Sequence, residues 1–243
     1  MNHPSEQAYL KSRFDALEQR IRAACLRAGR SRDAVTLVTV TKTVTVAIAA
    51  QVVELGYHDL GENRPQELWR KAAALPTSCR WHLIGHLQRN KVERTLRVQP
   101  FIHSVDSLAL LTAIDQEAGR HGQAVPVLLE VNASREAAKH GFAPEEVPGL
   151  AAAIQALRHV QVRGLMTMAR YEEDPENCRP TFALVRELRE RLRPKLGPPH
   201  VCDQLSMGMS NDFEVAIEEG ATLIRVGSAL FEGLGPEKAI QNG

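Results

Sequence analysis

Eight times along the 243-residue chain a short apolar run gives way to a stretch of helical periodicity, and this alternation restricts the fold more than any other feature. The first run, residues 35–42, reads Val-Thr-Leu-Val-Thr-Val-Thr-Lys and carries no charge before its lysine. Such composition suits a strand buried on both faces, as in a parallel sheet. Further strands are predicted over 57–61, 81–85, 101–106, 125–132, 160–168, 204–208 and 222–227. Helices are predicted between them over 46–56, 65–75 (proline in the tolerated first turn), 90–98, 107–118, 144–157, 176–193 and 212–219. Ahead of the first strand, residues 6–29 place Leu10, Phe14, Leu17, Ile21 and Cys25 at spacings of three and four, which reads as an amphipathic helix stopped by Gly29.

Strand–helix units repeated eight times predict an α/β fold, a single (β/α)8 TIM-type barrel with an extra N-terminal helix, occupying residues 1–243 as one domain. A barrel of this type uses roughly 250 residues. The alternative is an open doubly wound sheet, but no G-x-G-x-x-G follows the first strand. A formal net charge of +1 gives no reason to expect nucleic acid or an anionic membrane as partner. No apolar run reaches the roughly 20 residues that span a bilayer, and the N-terminus lacks a secretory pattern. Cys25, Cys79, Cys178 and Cys202 are widely spaced, so a reducing cytoplasm is the expected location.

In a barrel the carboxyl ends of the strands converge on one rim, where ligands bind. Lys42, Asn63, His86, Asp106, Asn132, Met166, residues 206–210 and residues 225–228 all fall there. A strand-end lysine is either an exposed cap or an amine placed to form a Schiff base with an aldehyde. The loops after strands seven and eight, with Ser206, Met209, Ser210, Gly227 and Ser228, are small and hydroxyl-rich. They suit either phosphate binding or ordinary helix capping by Ser210 and Asp212. A lysine and a phosphate cradle on one rim suggest a phosphorylated aldehyde, with pyridoxal 5′-phosphate the leading candidate. Arg225 then stands either opposite the ring nitrogen, which a protonated arginine keeps unprotonated, or in a salt bridge with a neighbouring acid. His82 and His86 are four apart, but in extended chain that spacing separates them by over roughly 10 Å, so no metal site is expected from them.

Six segments, 40–43, 60–67, 81–91, 163–168, 205–212 and 225–233, strongly resemble the pyridoxal phosphate homeostasis protein family, and the resemblance spans about residues 6–233 in order. That family is a single barrel related to the N-terminal domain of bacterial alanine racemase and of eukaryotic ornithine decarboxylase. The resemblance implies that Lys42 forms the internal aldimine, that Asn63 lies beside the cofactor, and that Ser210, Gly227 and Ser228 contact phosphate with Ser206 adjacent. It also implies that Arg225 faces the ring nitrogen and that Met166 and Met209 lie close by. His86 stands where some relatives carry proline. The function implied is a carrier that holds the cofactor, buffers its aldehyde and passes it to apo-enzymes in vitamin B6 homeostasis. The alternative is an amino-acid racemase of low activity. Racemization needs an acid/base on each face of the substrate, and of the three tyrosines only Tyr171 falls on the correct rim. A monomer is expected, without turnover of its own.

Overall fold

A computed structural model of the chain describes residues 6–136 and 140–234. Residues 1–5, 137–139 and 235–243 of the expected 1–243 domain lie outside the described residues. Within them a first helix, α1 (Glu6–Arg27), precedes eight strands: β1 (Thr36–Val40), β2 (Asp59–Glu62), β3 (Arg80–Leu83), β4 (Phe101–Val105), β5 (Val125–Glu130), β6 (Val160–Met166), β7 (Gln204–Ser206) and β8 (Leu223–Val226). All pair in parallel with their sequence neighbours, and β8 returns to β1 to close the barrel. The intervening and terminal helices are α2 (Val46–Glu54), α3 (Pro65–Ala72), α4 (Val92–Leu96), α5 (Leu108–Arg120), α6 (Ala151–Gln155), α7 (Arg179–Leu192), α8 (Phe213–Glu218) and α9 (Ser228–Phe231). The closed barrel and its extra N-terminal helix are those the alternation predicts. No helix of the described residues is long and apolar enough to cross a membrane.

The α1 helix buries Leu10, Phe14, Leu17, Ile21 and Cys25, the stripe its periodicity defines, and lies against α8 and α9. The expected helices over 90–98 and 176–193 each begin with a 3₁₀ turn, and the one over 144–157 differs most. Residues 144–157 form a 3₁₀ turn, Val147–Gly149, followed by the short α6, rather than one helix. Pro148 lacks the N–H that a continuous helix needs there, and its ring conflicts with the carbonyl four residues back. Gly164 marks a second local departure. The pairing of β5 with β6 shifts from Val127↔Val162 to Leu128↔Gly164, so β6 carries one extra residue. Gly164 adopts φ +155°, and a Cβ there would lie 1.8 Å from the Gln204 carbonyl oxygen, so only glycine fits.

Successive strand residues face opposite sides of the sheet. One set packs between barrel and helices in the main apolar core. The other points into the barrel, where Val38, Leu128, Met166 and Leu223 form a small apolar cluster with Phe101 and Met168 against it. The same alternation turns Arg225 inward with Leu223, and His103 inward with Phe101. Thr41 and Glu62, on the outward side, meet Lys71 from α3. The Lys71 ammonium donates to Glu62 Oε1 (2.6 Å) and to the Thr41 carbonyl (2.5 Å), and Thr41 Oγ1 donates to the same carboxylate oxygen (2.6 Å). Lysine and glutamate side chains are almost wholly buried, at 1% and 0% exposure. Each ion is tolerated there only because the other neutralises it. The bond to Thr41 also fixes the backbone immediately before Lys42.

Removing one partner strands the other charge in the interior. Lys71→Met is expected to cost roughly 3–5 kcal/mol in urea denaturation, and the double change Glu62→Gln with Lys71→Met to recover most of that loss. Equal stabilities for the single and double variants would contradict this account of the pair.

Candidate functional site

Closure of the barrel brings the two ends of the chain's rim together. Register pairs run from Thr36↔Leu223 to Thr39↔Val226, so the residues after Val40 and after Val226 emerge side by side. Gly227 permits the close approach, since a Cβ there would sit 2.8 Å from the Val40 carbonyl oxygen. Between these ends opens a cavity of about 600 Å³ whose lining includes Lys42, Tyr171, Ser210, Gly227 and Ser228. Ser210 Oγ accepts from the backbone N–H of Gly227 (3.4 Å) and of Ala229 (3.3 Å). Two backbone donors converging on one oxygen form the kind of concavity that seats an anion.

The loop that carries Ser210 is held from within. The Asp212 carboxylate accepts from the Met209 N–H at 2.6 Å instead of capping α8, whose N-terminus has no side-chain cap. Asn211 donates to the Glu172 carbonyl at 2.8 Å, which ties this loop to the one bearing Tyr171. Burial raises the Asp212 pKa, against the lowering effects of the Met209 N–H and of Arg225. Asp212 therefore ties its own loop in place instead of capping α8, while Ser210 is turned toward the end of β8 and bonds the first turn of α9.

Beneath this rim, Arg225 donates to Ser206 Oγ (2.5 Å) and to the Thr167 carbonyl (2.9 Å), so its guanidinium bonds neutral oxygens instead of a carboxylate. Burial pushes Arg225 down to about 10, with Asp212 and Glu130 acting in the opposite direction, so it remains a cation at neutral pH. From Ser206 a line of side chains continues through the barrel. Ser206 Oγ lies 2.9 Å from His103 Nδ1, His103 Nε2 lies 3.0 Å from His82 Nδ1, and His82 Nε2 lies 3.0 Å from Asp59 Oδ1. Asp59 is also bound by Arg80 at the start of β3.

With neutral rings, one assignment satisfies every partner. Asp59 only accepts, so His82 Nε2–H donates to it. His82 Nδ1 then accepts from His103 Nε2–H, and His103 Nδ1 accepts from the Ser206 hydroxyl, which accepts from Arg225. Burial, reinforced by His82 and Arg225, holds the His103 pKa well below the ordinary histidine value. Burial raises Asp59, but the bonds from Arg80 and His82 outweigh it and hold the carboxyl at about 2.

The structure therefore sorts the rim residues into groups. Lys42, Ser210, Gly227 and Ser228 share one cavity. Arg225 and Ser206 lie together below it, fully enclosed. Met166 belongs to the apolar cluster inside the barrel, while Asn63 and Met209 are half-buried on the rim. His103, His82 and Asp59 escape a search for motifs. Their one sequence signal is a polar residue at inward positions of otherwise apolar strands. Larger cavities, of about 630 and 830 Å³, open at the opposite end of the barrel around Thr36, Asp59 and Arg80. Size does not mark the site, whereas the convergence of an amine with backbone donors at the carboxyl rim does.

The chain is similar to known proteins along most of its length. Residues 13–234 match the alanine racemase N-terminal domain family. The pyridoxal phosphate homeostasis protein of Aquifex aeolicus is 41% identical over 222 residues, covering 90% of this chain and 96% of its own length. The human protein of the same name is 34% identical over 229 residues, covering 89% and 83%. Among solved structures, an unknown protein from Bifidobacterium adolescentis superposes with a TM-score of 0.88 at 35% identity over 95% of this chain and 98% of its own. PipY of Synechococcus elongatus, with PLP bound, gives a TM-score of 0.73 at 34% identity over 87% and 99%. The chain belongs to the alanine racemase N-terminal domain family and, within it, to the pyridoxal phosphate homeostasis proteins.

The relay has a pH signature. His103 binds a proton less readily folded than unfolded, so stability is greatest above the unfolded pKa of 6.5 and falls as pH drops below it. Asp59 adds a second loss as pH falls from its unfolded value of 3.8 toward about 2. Urea midpoints measured from pH 7.5 to 5 should decline in the wild type and decline less steeply in His103→Gln. Identical slopes in the two proteins would show that His103 is not the neutral, enclosed group described above.

Proposed function

We propose that the chain, as a member of this family, binds pyridoxal 5′-phosphate through Lys42 and serves as a carrier and buffer of that cofactor in intracellular vitamin B6 homeostasis. The observation that carries this reading is the shared cavity of Lys42 with Ser210, Gly227 and Ser228. When bound, the cofactor would supply a reactive aldehyde, for which a primary amine is the natural partner.

The chain's own groups divide the work of holding it. Lys42 provides the amine. The Gly227 and Ala229 N–H groups, with the Ser210 and Ser228 hydroxyls, provide donors for a phosphate. Arg225 presents only donors, so beside a ring nitrogen it would leave that nitrogen unprotonated, and the ring would draw electrons weakly. Asn63, Met166, Ser206 and Met209 complete the surroundings in this reading. A cavity that tethers an aldehyde and disfavours carbanion chemistry suits storage better than turnover. Delivery to PLP-dependent apo-enzymes, a monomeric state and a cytoplasmic location go with the same reading, and the four free, buried cysteines are compatible with a reducing compartment.

A racemase is the second reading, because Tyr171 lines the same cavity as Lys42. A second acid/base has to be held within hydrogen-bond reach of its proton. Tyr171 is 74% exposed, which leaves its phenol without a fixed seat in the closed barrel.

The purified protein with added cofactor should show imine absorption, and borohydride should fix the label on Lys42 by mass mapping. Lys42→Ala should lose both signals, while Ser210→Ala, which removes one hydroxyl from the phosphate seat, should weaken binding about tenfold. Incubation with a panel of L-amino acids should leave their chirality unchanged. Robust racemization dependent on Tyr171 would overturn the carrier reading in favour of the enzyme.

A further inference from the structure

A second cluster of chemistry-bearing side chains sits on the same rim, on the loops that follow β3, β4 and β5. His86 Nδ1 lies 2.9 Å from Asp106 Oδ2, and His140 Nδ1 lies 3.8 Å from the same oxygen. The two imidazoles stack at 4.3 Å between centroids with 17° between planes. One ligand atom from each of the three residues falls within 4.8 Å of the others.

We propose that His86, Asp106 and His140 bind a divalent transition metal of the zinc class. Two imidazoles and one carboxylate are a ligand set such ions favour, whereas magnesium and calcium prefer oxygen donors. Bonds of about 2.0–2.2 Å from one ion would hold the three donor atoms roughly 3–3.5 Å apart. The 2.9 Å pair already meets that spacing, and His140 joins it when its ring turns out of the stack with His86, so that both nitrogens point at one ion. At 3.8 Å the His140 contact is too long for a hydrogen bond, so Asp106 Oδ2 bonds only one of the two nitrogens turned toward it. Ser107 Oγ donates to Asp106 Oδ1 at 3.1 Å, which leaves Oδ2 aimed at the histidines and orients the carboxylate as an outer partner does in metal sites. His86 and His140 are 42% and 62% exposed, so an ion held there keeps positions open to water or a small anion. The site is independent of Lys42 and of the cofactor reading.

The test uses the full chain, freed of metal by chelation and without added cofactor. Titration with Co²⁺ is followed by visible absorption and then by displacement with Zn²⁺. One equivalent should bind, excess Mg²⁺ should not compete, and His86→Ala and His140→Ala should each weaken binding at least tenfold. Both substitutions fall on exposed rings, and unchanged thermal melting would confirm that the variants fold. Absence of a Co²⁺ band in the wild type, or its persistence when His86→Ala and His140→Ala are combined in one chain, would overturn the proposal, the latter because other groups are then the ligands.

Discussion

The pairing of β8 with β1 is the interaction on which everything else in this structure depends. It removes the sheet's last free edge. It also brings the first strand, whose end is Lys42, against the last, whose end is Gly227 and Ser228, although nearly two hundred residues separate them. A glycine at 227 is what the contact demands, because any side chain would run into the Val40 carbonyl. The meeting of Lys42 with Gly227 and Ser228 in one cavity therefore follows from barrel closure and from no local property of either segment.

The second constraint is charge inside a closed barrel. Arg225 is enclosed without a carboxylate bonded to it, and its cation is accommodated by neutral oxygens and by a line of hydrogen bonds that ends on Asp59 at the opposite end. The direction of that line follows from the carboxylate being an acceptor only. On the other side of the sheet, Lys71 and Glu62 neutralise one another under the backbone that leads into Lys42. Both arrangements bury polar groups at positions where aliphatic residues would pack more simply. Each reaches the underside of the rim, one at Arg225 and the other at the backbone before Lys42.

Much of the fold was readable because a parallel barrel repeats one pattern. Strands such as β1 and β5 are apolar or β-branched along most of their length, and the longer helices show an apolar stripe, as in the Leu10, Phe14, Leu17, Ile21 and Cys25 series. The reading overran where a local conflict outweighed periodicity, as at Pro148, which divides the expected 144–157 helix. Lys42, Ser210, Gly227 and Ser228 were readable as rim residues because strand ends can be located from the pattern. The relay was not, since His82 and His103 look like isolated histidines in apolar strands. Likewise His86 invited comparison only with His82, four residues away, while its neighbours in space are Asp106 and His140.

The amino-acid sequence by itself determined the eightfold alternation, the N-terminal helix, the identity of the strand-end residues and hence the rim on which chemistry gathers. These are consequences of side-chain period and of turn and cap residues, which act over a few positions. Tertiary structure alone decided which of those residues meet. Closure and register placed Lys42 beside Ser210, and the inward alternation of four separate strands aligned Asp59, His82, His103 and Ser206 beneath Arg225. Pairings of that kind depend on distances across the barrel, and no spacing along the chain encodes them.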